Sequence, residues 1–375
     1  MLDDAQRNEA PVPRMPRPAP RIGDLAGSRD NHFNLLRMLA ATGVLVSHAW
    51  PISLGPGAPE PLGAALGFSL GTVCVFVFFA ISGFFITRSY AEAPDWRRFL
   101  RARVLRLFPA LAVVLVVIVL VAGTVLGGAD PEAVWRAAPA YLLRNLTLVS
   151  LQYELPGVLL NTPYGPTING SLWTLVYEVL CYLGVLAAGV LGLLHRPRLF
   201  GPVLGLVAAG CLAVPYLGPV HPRIETAAAL ALPFTVGAGL YVWRDRLPLS
   251  GMLATGLWGL AAVLHGFGPA PGPAFLPAFV LALCYSVFCL GYARVPGLLG
   301  YNRLGDYSYG IYIYAFPIQQ LWAEAGVRDP LANIALSLPP VLVCAALSWH
   351  LVERRALALK APAARPVPAA PHRSG

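Results

Sequence analysis

Residues 62–86 read LGAALGFSLGTVCVFVFFAISGFFI, a run without a single charge. A helix needs about 20 such residues to cross a hydrocarbon core of about 30 Å. Read outward from this stretch, apolar windows separated by Pro, Gly and charge give about ten spans. They lie near 33–53, 62–86, 108–127, 170–194, 199–217, 226–243, 250–267, 274–292, 304–324 and 331–352. The expected fold is an all-α, polytopic membrane bundle. Composition agrees, since 57% of the 375 residues are apolar, 12% are charged and the mean hydropathy is +0.64, well outside the soluble globular range. No length remains for a soluble catalytic domain. Chemistry must fall to side chains inside the bundle or on its short loops, where a polar group is costly.

The net charge of +9 lies in short clusters between spans, with no basic face interleaved with aromatics, so nucleic acid is excluded as a partner. With the amino terminus inside, only Arg136, Arg144, Arg223 and Arg328 of the 27 Lys and Arg fall outside. The positive-inside rule therefore predicts both termini in the cytoplasm. Residues 1–32, rich in Pro and Arg, and residues 356–375 are expected to be disordered cytoplasmic tails flanking a membrane domain over 33–355. The densest basic cluster, Arg88, Arg97, Arg98, Arg101, Arg103 and Arg106, falls between the second and third spans and reads as an anion site or a lipid-headgroup anchor. The longest outer loop, 128–169, is placed to cap an outward-facing site, with an amphipathic piece around Trp135 to Leu151. None of the six cysteines and no histidine pair has the spacing of a metal site, and no metal is expected. Nothing in the sequence bears on oligomeric state.

In the first span Arg37 precedes His48 by eleven residues, close to three helical turns, so the two share a face about 16 Å apart. An extended pantetheine arm has comparable length. An arginine at the inner mouth would hold nucleotide phosphates while a thioester reaches the histidine, which acts as general base or transient acyl carrier. On spacing alone, a snorkelling arginine and a packing histidine fit as well.

Several segments tip that balance, because together they resemble the acyltransferase type 3 family of bacterial membrane proteins that decorate surface glycans. They are Leu36-Arg37 with Ser47-His48, Ser82-Gly83-Phe84-Phe85, Arg103-Val-Leu-Arg106-Leu-Phe-Pro109, Asn169-Gly-Ser-Leu-Trp173-Thr-Leu-Val-Tyr-Glu178, Gly305-Asp-Tyr-Ser308-Tyr309-Gly310 and Glu353-Arg354. The resemblance runs in order from about Phe33 to Arg354. It implies an inner-membrane O-acyltransferase that moves an acyl group, most simply acetyl, from acyl-CoA to a hydroxyl of a surface polysaccharide or lipid-linked glycan. Acyl-CoA would be a co-substrate, with no permanently bound cofactor. His48 would be the central catalytic residue, and Arg37, Arg103 and Arg106 would stand at the donor entrance. Two departures stand out: Ala315 occupies a position before Phe316-Pro317 that is often histidine in the family, and Val179 follows Glu178 where a second carboxylate is common.

Glu178, judged by depth, is expected either to orient His48 or to make a structural hydrogen bond to Tyr or Trp. Asn169, Ser171 and Trp173 at the outer mouth suit a sugar, although Trp173 equally fits an interfacial belt. Tyr309 is placed toward the bundle interior as a substrate contact. Glu353 is expected to form a charge pair that holds the arginine cluster. Two alternatives stay open: acylation of a lipid or small metabolite, and a proton-coupled transporter or flippase in which His48 and Glu178 relay protons. The lack of matched broken-helix halves weighs against the transporter.

Overall fold

The computed structural model describes residues 19–126, 130–266, 274–295 and 297–360. Among these residues there is no strand, only one isolated antiparallel bridge between Arg21 and Pro248. The long helices are α1 (Phe33–Leu54), α2 (Leu70–Ala91), α3 (Trp96–Val121), α4 (Pro131–Thr147), α5 (Trp173–Val190), α6 (Pro197–Ala213), α7 (Pro222–Val242), α8 (Gly251–His265), α9 (Phe275–Gly291), α10 (Ser308–Glu324) and α11 (Pro330–Leu347). Seven segments are long and apolar enough to cross a membrane: α1, α2, α3 with its continuation to Leu126, α5, α6, α7, and α11 with its continuation to Ala358. Helices α8, α9 and α10 are shorter and occupy the remaining expected spans. The amphipathic piece of the outer loop is α4.

Two boundaries differ from expectation for local reasons. Helix α2 starts at Leu70, later than predicted, because Ser69 caps it: its Oγ accepts from the Thr72 N–H at 3.2 Å. Helix α3 starts twelve residues before the predicted 108. There Asp95 Oδ1 accepts from the N–H groups of Arg97 (2.9 Å) and Arg98 (3.2 Å), and arginine is a good helix former. The basic segment expected as a loop is thus the first turns of α3. Arg103 and Arg106, three apart, share one of its faces.

Residues 19–32 are also not a free tail. Ile22–Ala26 forms a short helix with Ile22 fully buried, its N–H donating to Leu247 O at 3.0 Å. The apolar Ile22 and Ala26 give this stretch something to bury, which its Pro-rich neighbours lack. Residues 356–358 of the second expected tail continue the short helix Arg354–Ala358, with Ala356 buried, and residues 1–18 and 361–375 lie outside the described residues.

Helix α2 is the most buried of the spanning segments and α6 the least. Helices α2 and α7 approach each other through glycine. A Cβ at Gly83 would overlap the carbonyl oxygen of Phe234, and one at Gly237 would overlap that of Ala80. In lipid, where apolar transfer gives little drive, such close backbone contact supplies much of the helix association. Gly83→Leu should therefore force the helices apart and cost at least about 1–3 kcal/mol. The readout is a lower melting temperature and less monodisperse protein in detergent, with Gly184→Leu, at an open position, as the neutral control.

Candidate active site

Two cavities lie head to tail inside the bundle. The larger, about 660 Å³, opens at the end that carries Gly27, Ser28 and Lys360, and its wall includes Arg37, Arg103, Arg106, Glu178 and Tyr309. The smaller, about 330 Å³, opens at the opposite end among the loops of Gly57, Glu60 and Tyr164, and contains His48, Trp173 and Phe316. Val75, Thr174 and Tyr312 line both.

The arginine cluster of the first cavity is built from three directions. Arg37 comes from α1 and Arg103 and Arg106 from α3, while Asp306 arrives from the turn before α10. Asp306 Oδ2 takes Arg106 Nη2 at 2.6 Å and faces Arg37 Nη1 at 3.7 Å. Its other oxygen accepts from the Ser308 hydroxyl (2.5 Å) and N–H (3.3 Å), which fixes the start of α10. Gly305 makes this turn possible: its φ is +122° and the Trp349 indole lies where a Cβ would stand. Asp306 is thus the shared counter-ion of Arg106 and Arg37.

Glu353 Oε2 accepts from Arg106 Nη1 at 3.0 Å, and its Oε1 accepts from Ser348 Oγ at 2.8 Å. Residues five apart on an α-helix point about 140° apart. The π-helical turn over Ser348–Glu353 brings both inward. Arg106 is thus bound by two carboxylates and Arg37 faces one. Arg103 has no carboxylate within ion-pair distance among the described residues. Its Nε is buried without a hydrogen-bond partner, and its guanidinium faces the rings of Phe99 and Tyr182 at 5.6 and 5.7 Å. An uncompensated cation in a cavity wall favours an anionic ligand.

Glu178 does not reach His48. It lines the arginine cavity and accepts a hydrogen bond from the Tyr182 hydroxyl, the structural bond to tyrosine that its sequence left open. Depth along a helix placed it near His48, but its azimuth on α5 points it to the other cavity. Tyr309 lies with the arginines, its hydroxyl donating to Leu107 O at 2.9 Å.

In the second cavity the His48 ring packs edge-on against Phe316, with centroids 5.3 Å apart. Its Nδ1 is enclosed with no hydrogen-bond partner, which leaves Nε2 as the nitrogen that meets the cavity. The preceding Ser47 donates to Glu60, which folds back from the loop after α1 over the same cavity. Trp173 and Tyr164 add aromatic surface. A carboxylate among aromatic rings is chemistry that suits a polyhydroxylated ligand.

Asn169 and Ser171, expected at the mouth, face inward, each 1% exposed. Asn169 Nδ2 donates to Ile313 O at 2.9 Å, and Ser171 Oγ donates to Asn169 Oδ1 at 2.7 Å. They fasten the start of α5 to α10 and so position Trp173 and Tyr312. Asp306, Glu60, Thr174 and Tyr182 were not singled out by sequence reasoning. Asp306 had a signal, a Gly-Asp pair just before a helix, whereas Glu60 sits in an ordinary Pro/Gly loop and had none. Among the described residues, no group of three or more His, Cys, Asp or Glu is placed to hold a metal ion.

The family described as an acyltransferase domain, acyltransferase type 3, matches residues 30–350. The chain belongs to that family. This acyltransferase is 28% identical over 351 residues to an O-acetyl transferase of Shigella phage Sf6, covering 89% of this chain and 98% of the relative. It is 30% identical over 368 residues to nodulation protein 10 of Rhizobium leguminosarum bv. viciae, covering 88% and 94%. No solved structure matches the acyltransferase. The matched residues include every element that lines the His48 cavity, and all of the arginine cavity except Gly27, Ser28, Arg29, Leu357 and Lys360.

Proposed function

We propose that the acyltransferase moves an acetyl-sized acyl group from cytoplasmic acyl-CoA to a hydroxyl of a surface polysaccharide or lipid-linked glycan, and that it works in a bacterial inner membrane. The observation that carries this reading is the meeting, at a common wall, of a basic cavity and a histidine-bearing cavity that open at opposite ends. The arginine excess on the side of the first cavity supports a cytoplasmic mouth, the side where CoA exists. Arg103, with no carboxylate at ion-pair distance among the described residues, meets the CoA phosphates, and the pantetheine arm follows the cavity toward Tyr312. The name of the phage relative supports an O-acetyl product.

In the reaction, His48 Nε2 takes the proton of the acceptor hydroxyl as that oxygen attacks the thioester carbonyl. The new C–O bond forms, the C–S bond breaks, and the sulfur leaves as CoA thiol with the proton returned from the imidazolium. Glu60 and the Trp173 face hold the acceptor. Arg37 and Arg106, fixed by Asp306 and Glu353, shape the donor end.

The test is the purified protein in vesicles with radiolabelled acetyl-CoA and an isolated glycan acceptor. Label on the glycan with equal release of CoA thiol supports the reading, whereas glycan flux without CoA release would replace it with a flippase. Loss of an acetyl mass from the surface glycan of a deletion strain identifies the acceptor class.

Lys360, just past the last helical turn, lines both the arginine cavity and the neighbouring groove of Arg97, Arg98 and Arg101. Partial loss of hydration, with repulsion from Arg103 and Arg106, lowers its pKa to about 8. The side chain is a cation below that pH and neutral above it. KM for acyl-CoA should therefore rise as pH passes upward through about 8. In Lys360→Gln it should already be raised at pH 7, with the rise flattened.

A further inference from the structure

The two cavities do not merge. Val75 from α2, Thr174 from α5 and Tyr312 from α10 each line both, and so they form the partition between them. Val75 is 7%, Thr174 5% and Tyr312 8% exposed. The partition is latched by polar contacts rather than merely packed. The Tyr312 and Thr174 hydroxyl oxygens are 2.5 Å apart, and Tyr312 also donates to Ser171 O at 2.9 Å. Phe78 backs the Tyr312 ring edge-on with centroids 6.0 Å apart. The inward-facing Asn169 and Ser171 hold the backbone of this latch, because they bond to the carbonyls of Ile313 and Tyr312.

We propose that Tyr312, Thr174 and Val75 form a gate between the donor and acceptor cavities, and that the opening it allows determines the acyl group transferred. This rests on the acyl-CoA reading above and goes beyond it. The thioester enters on the arginine side, while the one histidine among the described residues lining either cavity stands on the other. Transfer requires Tyr312 to leave Thr174, since the closed pair stands between thioester and base. Small apolar groups pass at the Val75 edge when the hydroxyl pair parts, and longer chains meet the Val75 and Phe78 side chains. The latch also keeps a hydrated histidine cavity from contacting bound thioester when no acceptor is present, which limits wasteful hydrolysis.

Three variants test the gate. Val75→Ala widens it without touching the latch. Tyr312→Phe removes the latch and keeps the ring, and Tyr312→Ala combined with Val75→Ala removes the barrier. Two readouts are used on protein in vesicles. One is the ratio of kcat/KM for acetyl-CoA and butyryl-CoA, together with CoA release in the absence of glycan. The other is proton leak, read with an entrapped pH dye under an imposed gradient, which needs no acyl transfer.

Val75→Ala should shift the ratio toward butyryl by about tenfold or more, the usual effect of a methylene-sized pocket change. Tyr312→Phe should raise acceptor-independent CoA release, and the double variant should leak protons where the parent is tight. An unchanged chain preference, unchanged hydrolysis and tight vesicles in variants with parental melting curves would overturn the gate and leave acyl transfer standing. A parent inert toward every acyl-CoA, with a leaking double variant, would instead remove the acyl-CoA reading while keeping these residues as the barrier between the two ends. If the double variant does not fold, the two single variants decide by chain preference and hydrolysis.

Discussion

His48→Ala is expected to lower acyl transfer by at least about 100-fold, because general-base assistance alone is worth about 10²–10⁴-fold. The fold should survive. The ring makes no hydrogen bond in the structure and its neighbour Phe316 stays in place, so alanine leaves a space but strands no polar partner. The check is steady-state transfer from acetyl-CoA alongside a melting curve. His48→Gln separates base chemistry from shape, since it keeps a polar side chain of similar reach without the basic nitrogen. Both variants should retain binding of CoA in the arginine cavity. Parental rates in folded His48→Ala would place the proton transfer elsewhere, with Glu60 as the next group in that cavity to examine.

The second large effect contrasts two arginines three residues apart. Arg106→Met would strip Glu353, 1% exposed, of its cation and leave Asp306, 11% exposed, with only the longer contact to Arg37 at 3.7 Å. Breaking a buried pair by removing one partner costs about 3–5 kcal/mol, a large part of the usual net stability of about 5–15 kcal/mol. Loss of the folded peak in size-exclusion chromatography is the expected result. Adding Glu353→Gln to the same chain should recover much of it, because Asp306 keeps Arg37 as its counter-ion and no buried carboxylate is then left unpaired. Arg103→Met removes a cation that pairs with no carboxylate among the described residues, so the fold should persist. Its effect should appear as weaker donor binding, about 10–100-fold in KM for acyl-CoA, from the loss of about 1.5–3 kcal/mol of charged hydrogen bonding. Two equal losses of fold, or two equal losses of binding, would show that the arginines do not divide the work this way.

The parts of the site that were legible are those set by spacing along one helix. Arg37 and His48 lie on one helix, so 3.6 residues per turn was enough to pair them, whereas Arg103 and Arg106 were read in a loop and were joined to the site by the family resemblance. Glu178 illustrates the opposite case. Helix α5 is apolar on nearly every face, and a helix without a polar stripe carries no mark of its rotation in the bundle. Depth could be read and azimuth could not, so the choice between orienting His48 and bonding to a tyrosine stayed open until the rotation of the helix decided for Tyr182. Asn169 and Ser171 were misplaced for a related reason, because polar residues at a predicted span end fit either a solvent-facing mouth or an inward tie to another helix.

By itself the amino-acid sequence determined the all-helical, polytopic bundle, the charge asymmetry between the two ends and the family, because hydropathy and motif order are properties of the chain read locally. The tertiary structure alone decided that Asp306 and Glu353 pair with two arginines and that the third has no carboxylate at ion-pair distance among the described residues. It also decided that Glu60 joins His48, and that Tyr312 meets Thr174 across the wall between two cavities. Those partners are separated by up to 247 residues. Their encounter depends on how each helix is turned about its own axis, which close glycine contacts and buried carbonyl ties set and which no periodicity in the chain records.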